Sequence, residues 1–167
     1  MINPQLPSEK LLFGTVRIKV ALADGKEGIG TGFFFHFSLG GGKVIPAIIT
    51  NRHVAVDAVA GSFQLHESVA VSGVPSPSGR FFTVNIDNFA ANWIFHPGGA
   101  DLCAMPVQPL LAAAREKSGK EVFRLSLDES IIPSSQALEE LGAIEEVCPL
   151  ANYAAAQRAY SAAANNL

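Results

Sequence analysis

His53 is the residue of this chain best placed to do chemistry. It closes the run Ile48-Ile49-Thr50-Asn51-Arg52-His53, in which an apolar stretch turns polar just before an imidazole. An imidazole where a strand leaves a core can serve as a general base. Downstream, Ala100-Asp101-Leu102-Cys103-Ala104 sets a carboxylate at the head of another apolar run. Hydrolysis by a serine needs such a pair. The hydroxyl is a weak nucleophile at neutral pH, a histidine removes its proton, and a carboxylate fixes the tautomer and stabilises the imidazolium that forms. His53 and Asp101 would supply two of the three members of a hydrolytic triad.

The elements that must hold these residues read as short strands. Val16, Ile18 and Val20 alternate with Arg17 and Lys19, the period of a half-buried strand, so residues 11–22 are predicted extended. Asp24-Gly25 supplies a turn. Residues 29–37 form a second strand, in which Gly30 and Gly32 permit close backbone approach. Gly40-Gly41-Gly42 ends it. Residues 44–50 form a third, with Pro46 marking an edge or a bulge. Residues 54–60 fit one helical turn, and residues 63–71 are extended. Pro75-Ser76-Pro77-Ser78-Gly79 reads as a loop before a strand over 80–86. Trp93-Ile94-Phe95-His96 leads to a turn at Pro97-Gly98-Gly99, and residues 102–107 form the last strand. A brief helix is predicted over 110–117, and a capped helix or turn over 134–141. About six short strands with Gly and Pro punctuation predict an all-β fold, a small closed or nearly closed antiparallel barrel followed by a short helical or irregular segment.

Two segments then resemble a known family. Thr31-Gly32-Phe33 followed by Ile49-Thr50-Asn51-Arg52-His53-Val54 resembles the trypsin-like serine peptidase pattern, in the bacterial form with Thr-Asn-x-His-Val around the catalytic histidine. His96-Pro97-Gly98-Gly99-Ala100-Asp101-Leu102-Cys103-Ala104 is similar to the segment around that family's aspartate. The order, histidine before aspartate, matches the chymotrypsin-like arrangement in which serine comes last. The resemblance spans residues 11–147. It implies a six-stranded-type antiparallel barrel, a peptide or protein substrate, no cofactor, His53 as general base and Asp101 as its orienting carboxylate.

The family's nucleophile sits in a Gly-x-Ser-Gly-Gly segment, and no serine here has that setting. Ser72-Gly73 and Ser78-Gly79 precede Asp101, which is the wrong order. Ser118-Gly119 has Glu116, not glycine, two positions before the serine, and Ser134-Ser135 have no glycine nearby. No nucleophile is identified. The resemblance therefore implies the first barrel of a trypsin-like peptidase over residues 1–110, a linker toward a second barrel over 111–147, and a chain cut short before its serine half. Residues 148–167 hold eight alanines and read as a non-native or disordered tail. Loss of the serine alone costs about a million-fold in turnover, so the chain by itself is expected to be inactive. The alternative is a non-catalytic binding or assembly module on the same barrel.

Other classes have less support. Net charge is −3, with the 12 Lys and Arg scattered, which argues against a nucleic-acid surface. Hydrophobic residues make up 49% and charged residues 16%, enough core-forming side chains to exclude wholesale disorder. No apolar run approaches ~18 residues, so no membrane span is expected. Residues 1–7 lack the basic-then-apolar pattern of an export signal, which points to the cytoplasm. His36, His66 and His96, even taken with His53 and Asp101, match no metal-ligand spacing and are read as structural. Cys103 falls on the same side of its strand as Asp101 and reads as a small buried residue. Cys103 and Cys148 form no recognisable disulfide framework. If a second barrel is missing, the apolar face around Phe33-Phe34-Phe35-Phe37 would call for a partner to cover it.

Overall fold

A computed structural model of the chain describes residue 4, residues 6–132 and residues 134–140. Nine strands form one sheet: β1 (Thr15–Leu22), β2 (Glu27–Gly40), β3 (Lys43–Thr50), β4 (Ala58–Val71), β5 (Val74–Asp87), β6 (Ile94–Phe95), β7 (Cys103–Pro106), β8 (Glu121–Phe123) and β9 (Leu127–Asp128). The helices are α1 (Pro7–Gly14), α2 (Arg52–Ala55), α3 (Gln108–Ser118) and α4 (Ser135–Glu140). The main path runs β5-β4-β1-β2-β3-β7-β6, with β8 beside β4 and β9 beside β2. All pairings are antiparallel except β2 with β9.

The alternation in β1 sets the two faces of this sheet. Val16, Ile18 and Val20 are buried, while Lys19 between them is exposed. Ile18 lies between Gly30 of β2 and Phe63 of β4 in the ladder. The core grows from there through Phe34, Ile48, Leu65, Phe89, Trp93, Cys103 and Met105. Full burial of one such side chain is worth about 1.5–3 kcal/mol.

The sheet is antiparallel and β-rich, as expected, but it is not closed. No ladder joins β5 to β6 among the described residues. Of the closed or nearly closed barrel expected, full closure is not met. Both ends of the path nevertheless serve one core: Phe82, Val84 and Ile86 of β5 pack on the same cluster as Cys103 and Met105 of β7. The sheet is curled around its apolar side without the closing pair of strands.

Several local expectations are also corrected. Residues 11–14 are helical, not extended, because Pro7 opens α1 and the Glu9 carboxylate accepts the Leu6 N–H at 3.0 Å. Phe13 at the end of that helix is buried against His66 and Phe123. Residues 75–79 lie within β5, not in a loop. Its two prolines are tolerated because β5 ends the main path, with β4 as its ladder partner. Pro46 is not on an edge, since β3 pairs with both β2 and β7. It stands where the β7 ladder runs out, its carbonyl accepting the Val107 N–H at 3.0 Å. The strand at 103–106 is not the last: β8 and β9 return to β4 and β2. The described part of 111–147, read as a linker, thus includes two strands of the sheet. The tail at 148–167 lies outside the described residues.

Candidate functional site

Antiparallel pairing of β3 with β7 brings His53 and Asp101 together. The register matches Ile49 with Ala104 and Thr50 with Cys103, so the end of β3 lies beside the start of β7. His53 follows three residues after Thr50, and Asp101 precedes Cys103 by two. Thr50 is buried, and its hydroxyl donates to the Thr31 carbonyl at 2.9 Å, which ties the end of β3 to β2.

After Thr50 the chain turns into α2, a single helical turn. A free helix start leaves N–H groups without partners, and an asparagine at the N-cap ordinarily accepts one of them. Asn51 occupies the N-cap but makes no such side-chain bond. Its Nδ2 instead donates to Asp101, to the backbone carbonyl at 3.1 Å and to Oδ2 at 3.2 Å. Asp101 takes over the capping role from the neighbouring loop: its Oδ1 accepts the His53 backbone N–H at 2.9 Å.

The other carboxylate oxygen holds the imidazole. His53 Nδ1 lies 2.6 Å from Asp101 Oδ2. An ionised carboxylate only accepts, so Nδ1 carries the proton, and in the neutral ring Nε2 keeps its lone pair. Three donors thus converge on one carboxylate. The His53 backbone bond, then its side-chain bond and charge, and last Asn51 hold the Asp101 carboxyl below its usual range.

Gly30 explains how α2 sits so close to the sheet. A Cβ built there would lie 2.5 Å from Val54 Cγ1 and 2.8 Å from Cγ2. Val54 is the residue after His53, so the missing side chain on β2 makes room for the turn that carries the imidazole. On the other side, the Arg52 guanidinium sits 5.0 Å from the centroid of the Phe95 ring.

Of the residues singled out from the sequence, His53 and Asp101 meet, Cys103 is bonded to the neighbouring Asn51, and the other histidines stand apart. Cys103 is buried at 2% exposure and its Sγ donates to the Asn51 carbonyl at 3.6 Å. Burial first, then the Asp101 charge, push its thiol up to about 11. His36 lies on β2, paired with Asp128. His66 is buried between Phe13 and Phe81. His96 turns its Nδ1 to the Gly98 N–H of its own turn at 3.1 Å. Among the described residues, no three His, Cys, Asp or Glu side chains cluster closely enough to hold a metal ion. No helix among them is long and apolar enough to cross a membrane.

Sequence reasoning missed Asn51 as the second anchor of Asp101. The signal was present, an N-cap residue type directly before a four-residue helix, but its ordinary use as a cap hid its use across the ladder. The dyad is also more open than a hydrolytic site requires: the side chains of His53 and Asp101 are 71% and 51% exposed. No serine hydroxyl among the described residues reaches His53. Comparison with protein-family models, with curated proteins and with solved structures finds no match to this chain.

Proposed function

We propose that this chain carries the histidine–aspartate half of a serine-peptidase site of the trypsin-like kind, on an open form of that fold's first barrel. The observation that carries the reading is the 2.6 Å bond from His53 Nδ1 to Asp101 Oδ2, with Oδ1 fixed by the His53 N–H. That arrangement sets the tautomer in which Nε2 can take a proton from a hydroxyl. The substrate class is then a peptide or protein. His53 is the general base, Asp101 orients it and stabilises the imidazolium, and Asn51 positions Asp101.

Among the described residues the His53 ring is bonded to Asp101 and to no serine hydroxyl. Acyl transfer also works best where water is excluded and fixed dipoles face the developing charge. The exposed dyad, with Leu102 next to Asp101 in sequence and 43% exposed, fits a surface that a serine-bearing segment or second chain would cover. On this reading the expected peptidase activity of the polypeptide alone is nil.

Two measurements test this. The purified chain is assayed against casein and a fluorogenic peptide library. Turnover that disappears in His53→Ala would contradict the inactive-alone part. The coding sequence past the Val147 codon is read in all three frames, and proteins co-purifying with the chain are sequenced. A Gly-x-Ser-Gly-Gly segment in either place is the expected result, and its absence from both overturns the peptidase reading. The second reading, a non-catalytic binding module, is favoured by the same exposure of the dyad and would then stand.

A further inference from the structure

The outer face of the sheet carries a second polar constellation, unrelated to His53. Directly paired residues in an antiparallel ladder share a face. Arg17 of β1 pairs with Gln64 of β4, which pairs with Thr83 of β5. Lys19 of β1 pairs with Ser62 of β4, one row along. The residues between them, Ile18 and Phe63, are fully buried on the opposite face, so these five point away from the core. They line one concavity of about 130 Å³.

Its chemistry is one-sided. Two cations, an amide and two hydroxyls surround the space, and no carboxylate lines it. Neither Arg17 nor Lys19 has an ion-pair partner among the described residues. The nearest acidic positions on that face, Glu27 opposite Ala21 and Asp87 opposite Ala60, stand one row beyond Lys19. The Arg17 Nε is shielded from solvent and has no hydrogen-bond partner. A shielded guanidinium N–H without an acceptor is costly, since each orphaned buried donor forfeits a bond it made to water. An acceptor would relieve that cost once the guanidinium turns to present this N–H to the concavity. Guanidinium groups match the spacing of oxygens on a tetrahedral oxyanion, and a lysine beside it adds a point charge.

We infer that Arg17, Lys19, Ser62, Gln64 and Thr83 form a binding site for a phosphate-type oxyanion, either the free dianion or the terminal phosphoryl group of a small metabolite. Arg17 and Lys19 balance the charge. The Gln64 amide and the Ser62 and Thr83 hydroxyls donate to the remaining oxygens. The β1 and β4 backbones, paired in one ladder with the core behind them, fix the positions from which these side chains reach.

The test is a titration of the full chain at low ionic strength, followed by the Arg17 Nε–H resonance in ¹H–¹⁵N spectra. Inorganic phosphate, glycerol 3-phosphate and chloride are the probes. A saturable shift is expected with phosphate, at least about tenfold tighter than with chloride. Arg17→Met removes the side-chain reporter, so saturable shifts of the Gln64 amide serve for that variant, and binding should weaken at least about tenfold. Lys19→Met and Thr83→Val should each weaken it less and leave the fold intact by the remaining spectrum. Stronger binding of glycerol 3-phosphate than of free phosphate would assign the ligand as a phosphoryl ester, and the reverse order as the free ion. Non-saturating shifts, equal shifts with chloride at matched ionic strength, or unchanged affinity in Arg17→Met would overturn the inference.

Discussion

Asp101 grips His53 twice, once through the backbone N–H at 2.9 Å and once through Nδ1 at 2.6 Å. The two bonds use different oxygens and do different things. The first caps α2 and fixes where the histidine begins. The second fixes how its ring is turned and which nitrogen is protonated. A single carboxylate therefore couples the fold of a four-residue helix to the tautomer of its histidine.

That coupling predicts a tautomer change in Asp101→Asn. The amide retains one oxygen, which can keep the cap, and places an NH₂ against Nδ1. A donor there favours a ring protonated at Nε2 instead. ¹⁵N spectra of the ring should show Nδ1–H as the main neutral tautomer in the wild-type protein and Nε2–H in the variant, with the amide spectrum of the sheet unchanged. Identical tautomers in the two proteins would show that the ring is not set by Asp101.

The depressed Asp101 carboxyl also fixes the sign of a pH effect. A group whose folded value lies below its unfolded one adds stability that is present above the unfolded value, about 3.9 for aspartate. That stability is lost as pH falls through the lower, folded value. The carboxyl carbon of Asp101 should therefore titrate below the ordinary aspartate range, and the Tm advantage of wild type over Asp101→Asn should shrink only under about pH 4. In Asn51→Ala, which removes the bond to Oδ2 at 3.2 Å, the titration should move part of the way back up. A normal Asp101 titration in wild type would contradict the hydrogen-bonded geometry.

Much of this site is legible in the amino-acid sequence. The polar step after Ile48-Ile49 marks where β3 leaves the core, and the carboxylate heading the 102–107 run marks where a neighbour begins. What the chain does not spell out is that these two ends are adjacent. That depends on β3 and β7 pairing across more than fifty residues of intervening sequence, and no local pattern encodes a partner. The same limit hid β8 and β9, which at three and two residues are too short to show a period. The helical 11–14 segment is ambiguous in sequence for another reason. Leu11-Leu12-Phe13 continues the apolar run of β1, and a short apolar run does not distinguish helix from strand. The Pro7-Ser8-Glu9 start signal was the discriminating feature.

Gly30 should be intolerant of even one added carbon. In Gly30→Ala the new Cβ meets both Val54 methyls, so α2 must lift from β2. Overpacking of this kind costs about 1–3 kcal/mol, and the displacement should weaken the Nδ1 bond that the ring spectra report. Val54→Ala should largely restore both in the double variant, because it removes the atoms the new methyl strikes. A Gly30→Ala protein with native stability and native ring signals would show that α2 does not rest on that glycine.

His66 gives a second acid sensitivity. It is 4% exposed between Phe13 and Phe81, with ring centroids at 4.8 and 4.3 Å, and burial pushes its pKa down from 6.5 to about 4. The folded ring stays neutral where the unfolded one charges. Stability is therefore full above about pH 6.5 and falls as pH drops toward 4, because the unfolded state binds the extra proton. At pH 4.5 the loss from this residue alone is about 2–3 kcal/mol relative to pH 7. Urea unfolding of His66→Phe at both values should show a smaller drop than wild type by that amount. Parallel pH profiles for the two proteins would mean that His66 charges as readily folded as unfolded.

Cys103 should be a poor thiol despite its position two residues from Asp101. Its Sγ is bonded to the Asn51 carbonyl, and its pKa is raised from 9.0 to about 11. The thiolate is the reactive form, so two units of pKa reduce it by about a hundredfold at neutral pH, before burial slows access further. In a Cys148→Ser background, iodoacetamide should therefore modify the folded chain at least about a hundred times more slowly than the urea-unfolded one. If folded Cys103 alkylates at the unfolded rate, the β3–β7 end is open in solution. The dyad it underlies would then lack the rigid floor that holds Asn51 and Asp101 in register.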